Sequence, residues 1–272
     1  MIIDHPRETQ PTRQRAEPRA FFRGARAAAT LLTRLPVGGF PYDDAEWRWA
    51  AAHLPLVGGA VGFFASIAWA ITAGAGPLVS AVVAVAAAAA LTGALHEDGL
   101  ADTADALGGG DTRDRVFAIL KDHDIGSYGA CALLLATLLR VAALDRLAPD
   151  VPSVFCFVSA ASRLGPTVLV AILPYVTPAA TAKSGPVTTA RLEQVVVAAA
   201  WVAAVGAAAH LLGGLPWAQV IGSLVAGAAT VAACGAYFRR RVGGVTGDFL
   251  GASQQLSECA MLLTFAVLRG NH

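Results

Sequence analysis

Apolar residues come in long runs separated by short polar stretches. The runs cover residues 55–73, 77–95, 126–148, 151–176, 194–213 and 216–238, with a shorter one at 255–268. A membrane-crossing helix needs roughly 20 mainly apolar residues. The pattern therefore predicts an all-α, polytopic integral membrane bundle of about six to eight transmembrane helices, forming one domain over 21–272. Alanine and glycine dominate several runs, and small residues let helix backbones approach closely in lipid. The run at 151–176 carries Arg163 near its middle and Pro166 after it, so one broken helix or two short ones are expected there. The stretch from Phe21 to Pro36 mixes Arg23, Arg26 and Arg34 with apolar residues and reads as an interfacial amphipathic helix. Residues 1–20 are polar, with scattered proline and arginine, and read as a disordered tail.

Composition sharpens this picture. Of 272 residues, 56% are hydrophobic and 14% charged, against about 25% charged in a soluble domain. A disordered chain is excluded and an ordinary soluble enzyme disfavoured. The net charge of +1 gives no basic field for nucleic acid. Cys131, Cys156, Cys234 and Cys259 are far apart in apolar stretches and read as small buried apolar residues, not as disulfides or a zinc site.

Basic residues cluster before the first long run (Arg7 to Arg34), between the second and third (Arg113, Arg115, Lys121), between the fourth and fifth (Lys183, Arg191) and after the sixth (Arg239 to Arg241). An even number of spans between clusters puts all four on one side, which the positive-inside rule makes the cytoplasm.

The candidate chemistry follows the second run. Eight of the 19 acidic residues fall between 97 and 124. Asp98, Asp102 and Asp105 share roughly a 60° arc of one helix face. Like charges at this spacing repel, and a hard divalent cation such as magnesium would relieve that. A solvated acidic face is the competing reading. Gly108, Gly109 and Gly110 end the helix and open the backbone to a ligand, or serve as a flexible cap. Arg113 and Lys121 would suit a phosphate-rich substrate, or simply set topology. Asp248 and Thr246 sit in a second glycine-bearing loop, 243–252. Arg163, inside an apolar run, needs a carboxylate, a phosphate or interfacial water. His96 leads the acidic stretch and is a ligand or phosphate contact; His53 and His123 read as surface or interface residues, and His210 as a helix–helix contact. Carboxylates, glycines and cations on one membrane face equip metal-assisted phosphoryl or nucleotidyl transfer.

The segment His96-Glu97-Asp98-Gly99-Leu100-Ala101-Asp102-Thr103-Ala104-Asp105, followed by three glycines, resembles the signature of the cobalamin synthase (adenosylcobinamide-GDP ribazoletransferase) family. Three more blocks agree in order: Leu32 to Val37, Lys121-Asp122 through Ile125 to Gly129, and Gly243 to Asp248; Ser162-Arg163 also falls where the family has such a pair. The resemblance runs from about Phe21 to Arg269. It implies a multi-pass enzyme of the bacterial cytoplasmic (inner) membrane that joins adenosylcobinamide-GDP to alpha-ribazole or its 5′-phosphate and releases GMP. Magnesium is the implied metal, held by Asp98, Asp102 and Asp105. Asp122 and Asp248 would complete the site or orient the hydroxyl, while Lys121, Arg163 and Arg113 would contact phosphate; His96 and Thr246 stay substrate-contact candidates by their position in the chain. Membrane lipid is the other implied partner, and a homo-oligomer stays open. Glu97 points about 100° from Asp98 on a helix and stays outside the metal set. Two alternatives remain: an enzyme like the CDP-alcohol phosphotransferases, whose Ala-Arg step is absent here because Asp102 follows Ala101, and a cation- or proton-coupled transporter using intramembrane carboxylates.

Overall fold

The structure is a computed structural model that describes residues 17–122, 124–148, 150–176 and 187–269. Among the described residues eleven α-helices follow one another: α1 Glu17–Leu32, α2 Asp44–Ile71, α3 Pro77–Thr92, α4 Leu95–Gly109, α5 Arg113–Ile119, α6 Ser127–Leu147, α7 Val151–Ser162, α8 Leu164–Ile172, α9 Leu192–Gly213, α10 Trp217–Val242 and α11 Gly247–Arg269. Among the described residues there is no strand, only an isolated bridge between Tyr175 and Val245. Most of the polar tail, residues 1–16, lies outside the described residues, as do His123 and Lys183. The protein is an all-α, polytopic membrane bundle.

Among the described residues, five helical segments are long and apolar enough to cross a membrane: α2, α6, α7 with α8, α9 and α10. A sixth is formed if α3 and α4 count as one bent span. That pair departs from the continuous run expected over 77–95. Gly93 (φ 68°) and Ala94 (φ 57°) are both left-handed, and the chain turns by 89° between the two helices. Glycine accepts this conformation freely, whereas Ala94 bears a steric cost of about 1–2 kcal/mol. The turn sends the acidic sequence off as a separate helix that packs against α11 and α6.

The last helix, α11, is 23 residues long, yet it carries Asp248, Gln254, Gln255 and Glu258 and is too polar to count as a span by composition. Its residues from Gly251 to Gln255 and from Ser257 to Cys259 are buried nonetheless. The neighbours α4, α6, α7, α8 and α10 surround it. Its polar side chains thus meet protein rather than lipid, which permits polarity at this depth.

Helix ends define two faces. At one end Arg34 donates its backbone N–H to Leu91 O (2.9 Å), Tyr175 bridges Val245, and Arg241 donates to Gly110 O. At the other, Arg269 pairs with Asp150 (2.8 Å) and donates to Leu147 O, and Ser66 Oγ donates to Pro152 O (3.4 Å). The core between them is built by small-residue contacts. A Cβ on Gly62 of α2 would stand 2.6 Å from Phe155 O and 2.7 Å from Cys156 Cα of α7, so only glycine permits this approach. Phe155, Phe157, Leu262 and Phe265 fill the interior around it.

The amphipathic helix α1 lies against α2 and is held by polar ties. Arg23 pairs with Glu46, itself part of the capping box that starts α2, and Arg26 Nε donates to Val37 O at 2.8 Å. Two expectations need correction. Cys131 is exposed on the outside of α6, where the lipid-facing surface accepts a small apolar side chain; all four cysteines are free. His53 is buried, not superficial, because it bridges three helices. Its Nε2 lies 3.1 Å from Phe21 O, and Trp201 Nε1 donates to its Nδ1 at 3.2 Å.

Candidate active site

Helices α4 and α11 cross at glycines. A Cβ on Gly99 would stand 2.9 Å from the carbonyl oxygen of Asp248 and 3.3 Å from Gly251 Cα; one on Gly251 would be 3.5 Å from His96 Cα. Backbone therefore packs directly on backbone, and the acidic stretch of α4 meets the acidic start of α11. The crossing forms one wall of a cavity of about 250 Å³. Its polar lining is His96 and Asp98 from α4, Arg163 from the α7–α8 turn and Asp248 from α11; Leu32, Leu54, Pro166 and Tyr175 supply much of the apolar remainder. Gly99→Ala is expected to destabilise the protein by about 1–3 kcal/mol through overpacking, and thermal unfolding in detergent measures it.

Asp98 is exposed to the cavity, whereas Asp248 is partly buried. Burial raises the Asp248 carboxyl pKa above the usual carboxylate range, and the charge of Asp98 raises it further. The two carboxylates thus feel each other across the cavity. Arg163 is only 4% exposed. Its Nη1 donates to Ser159 O at 2.7 Å, folding the guanidinium back over the last turn of α7. Gly58 of α2 lets its stem pass, since a Cβ there would be 2.5 Å from Arg163 Cδ.

The other sequence candidates are distributed more widely. Both carboxylate oxygens of Asp105 already accept backbone N–H groups from the start of α6: Gly126 at 2.8 Å and Gly129 at 2.9 Å. Asp105 therefore anchors one helix end to another, satisfying donors that an N-terminus leaves open. Asp102 lies one turn from Asp98, half-buried. Thr246 is buried and its Oγ accepts from Phe249 N at 3.3 Å, which starts α11. Arg113 sits over the Phe117 ring at 5.5 Å; Lys121 and Asp122 are exposed, and none of the three lines the cavity. Gly108 and Gly110 serve packing: a Cβ on them would be 2.7 Å from the Tyr128 ring and from Val116 Cγ2, respectively. Among the described residues, no three His, Cys, Asp or Glu side chains form a set that could hold a metal ion.

A buried ion network absent from the sequence-based candidates lies beside the cavity. Arg140 of α6 pairs through Nη1 with Glu97 of α4 (2.9 Å) and through Nη2 with Glu258 of α11 (2.9 Å). Its Nη1 also donates to Gln255 Oε1 at 3.3 Å. Gln254 Nε2 donates to Glu258 Oε2 (2.7 Å) and to Ser162 Oγ (2.9 Å). Arg163 Nη1 stands 3.9 Å from that same Glu258 oxygen. Glu97 thus faces away from Asp98, into the protein. The signal was present: Arg140 and Glu258 each interrupt an apolar run, and intramembrane charges pair.

Fold and site together define a multi-pass helical membrane protein with a cavity of carboxylates and arginine at one end of its bundle. The chain belongs to the cobalamin-5-phosphate synthase family, whose model matches residues 24–266. It is 40% identical over 256 residues to the adenosylcobinamide-GDP ribazoletransferase of Leptothrix cholodnii, covering 91% of this chain and 94% of that protein. The same enzyme of Rhizobium etli is 40% identical over 254 residues, covering 89% and 95%, and that of Bradyrhizobium diazoefficiens is 36% identical over 252, covering 90% and 93%. No solved structure matches the chain.

Proposed function

We propose that the protein is an adenosylcobinamide-GDP ribazoletransferase of cobalamin biosynthesis. It joins adenosylcobinamide-GDP to alpha-ribazole or its 5′-phosphate and releases GMP. The observation that carries the reading is the convergence of Asp98, His96, Arg163 and Asp248 on one cavity, in a chain whose relatives bear that name.

The ribazole hydroxyl attacks the phosphorus attached to the cobinamide arm. A new P–O bond forms, the bond to the GMP oxygen breaks, and GMP leaves with the electron pair. Asp248 receives the hydroxyl proton, a role supported by its raised pKa. Arg163, which cannot lose its charge, neutralises the phosphate oxygens, and His96 hydrogen-bonds them. Asp98 and Asp102, one turn apart on one face, would hold magnesium. Such a cation is usually bound by one or two carboxylates together with substrate phosphates and water, so two hard oxygen donors suit it without a third side chain. When bound, the metal supplies charge neutralisation at the phosphates.

The orientation belongs to the same reading. Arg34, Arg113, Arg115, Lys121 and Arg239 to Arg241 belong to the end that holds the cavity, and the opposite end offers Arg146 and Arg269 beside Asp145 and Asp150. By the positive-inside rule the site faces the cytoplasm across the inner membrane.

Purified protein with adenosylcobinamide-GDP, alpha-ribazole and magnesium should form GMP and cobalamin in equal amounts, separated by chromatography. EDTA should abolish both. Folded protein that yields no product sinks the assignment, and product insensitive to EDTA sinks the metal role.

A further inference from the structure

Glu97, Arg140, Gln254 and Glu258 of the buried network come from three different helices, and Arg163 of the cavity stands within ion-pair distance of Glu258. Glu258 is the node. It is 2% exposed; one oxygen faces Arg140 at 2.9 Å and the other accepts from Gln254 at 2.7 Å while standing 3.9 Å from Arg163. Arg163 and His96 line both the 250 Å³ cavity and a second cavity of about 10 Å³, which Glu97, Arg140 and Glu258 also line. Arg163 is thus the residue through which the network and the site communicate directly by charge.

A guanidinium recognises phosphate best when its fork is fixed, because less rotamer freedom is then lost on binding. The Ser159 carbonyl fixes one corner of that fork. A carboxylate behind it fixes its direction, but only if the carboxylate is itself immobile. Arg140 and Gln254 immobilise Glu258 from two sides. We infer that Glu258, braced by Arg140 and Gln254, is a positioning residue that sets how Arg163 presents itself to a phosphate in the cavity. The inference rests on Arg163 being the phosphate contact of the reaction proposed above.

The test uses binding, so it needs no turnover. Inorganic pyrophosphate with magnesium is titrated calorimetrically into the full chain in detergent. Glu258→Asp keeps the charge and withdraws the carboxylate by one methylene. It should weaken binding about tenfold. In an Arg163→Gln background, where no guanidinium remains to be positioned, the same change should alter the dissociation constant less than about twofold. Gln254→Met removes the brace without changing charge, and it should act in the same direction if Glu258→Asp fails to fold. Equal losses in both backgrounds would mean a general structural effect and overturn the inference. So would wild-type affinity in both Glu258→Asp and Gln254→Met, or wild-type protein that does not bind pyrophosphate. Binding that depends on Arg163 and Glu258, in protein that forms no cobalamin, would keep the positioning role and remove the transferase reading.

Discussion

Replacing Asp98 or Asp248 with asparagine is expected to lower turnover by at least about 100-fold while leaving the fold intact. Removing one preorganised electrostatic group from a transfer site typically costs about 10²–10³ in rate. Asparagine preserves volume, and Asp98 is exposed to the cavity, so its stability change should stay within about 0.5 kcal/mol. The two variants should differ in kind. If Asp98 holds magnesium, high magnesium should recover part of the Asp98→Asn activity. If Asp248 takes the proton, magnesium should recover nothing in Asp248→Asn. Its rate should also lose the acid limb of the pH profile, because the amide does not titrate. That limb should move to higher pH as magnesium is lowered, since burial and the Asp98 charge, which the bound metal would offset, both raise the Asp248 pKa. GMP release measured against pH and magnesium separates these outcomes. Two variants with identical profiles would argue against the division of roles.

The sequence carried different parts of this molecule with different clarity. The runs that became α2, α6, α9 and α10 were legible because lipid-facing helices must be apolar along their length. The candidate acids were legible because Asp98 and Asp248 stand beside Gly99 and Gly247, and Asp102 shares a helix face with Asp98. The bend between α3 and α4 was not, because it depends on a left-handed Ala94, a conformation that no residue pattern specifies. The start of α11 looked like a loop because its polar residues resemble an exposed stretch, and only burial by five other helices explains them. The role of Asp105 was hidden for a related reason. Its partners, Gly126 and Gly129, lie 21 and 24 residues away and offer backbone groups, which side-chain spacing does not encode. Arg163 was singled out as a lone intramembrane charge, but its network requires the positions of Arg140 and Glu258 relative to one another, which follow from packing alone.

That network should dominate the stability of the bundle. Arg140 is 3% exposed and serves two carboxylates, Glu97 and Glu258. In Arg140→Met the partly buried Glu97 would lose its ion partner, and the buried Glu258 would keep only Gln254, Ser162 and the more distant Arg163. Breaking a buried pair by removing one partner costs about 3–5 kcal/mol, a large share of the roughly 5–15 kcal/mol that holds a typical domain together. Arg140→Met should therefore unfold far below wild type in a thermal scan in detergent, more than any substitution at the exposed Asp98. Adding Glu97→Gln and Glu258→Gln removes the stranded charges, and the triple variant should regain most of the lost stability, since well-packed neutral replacements of buried ion networks are often no less stable. Pyrophosphate affinity should not return to the wild-type value with it, because the carboxylate behind Arg163 is gone. Arg140→Met as stable as wild type would show that the pairs contribute no net stability. A triple variant no better than Arg140→Met would show that the loss comes from packing of the arginine stem rather than from charge.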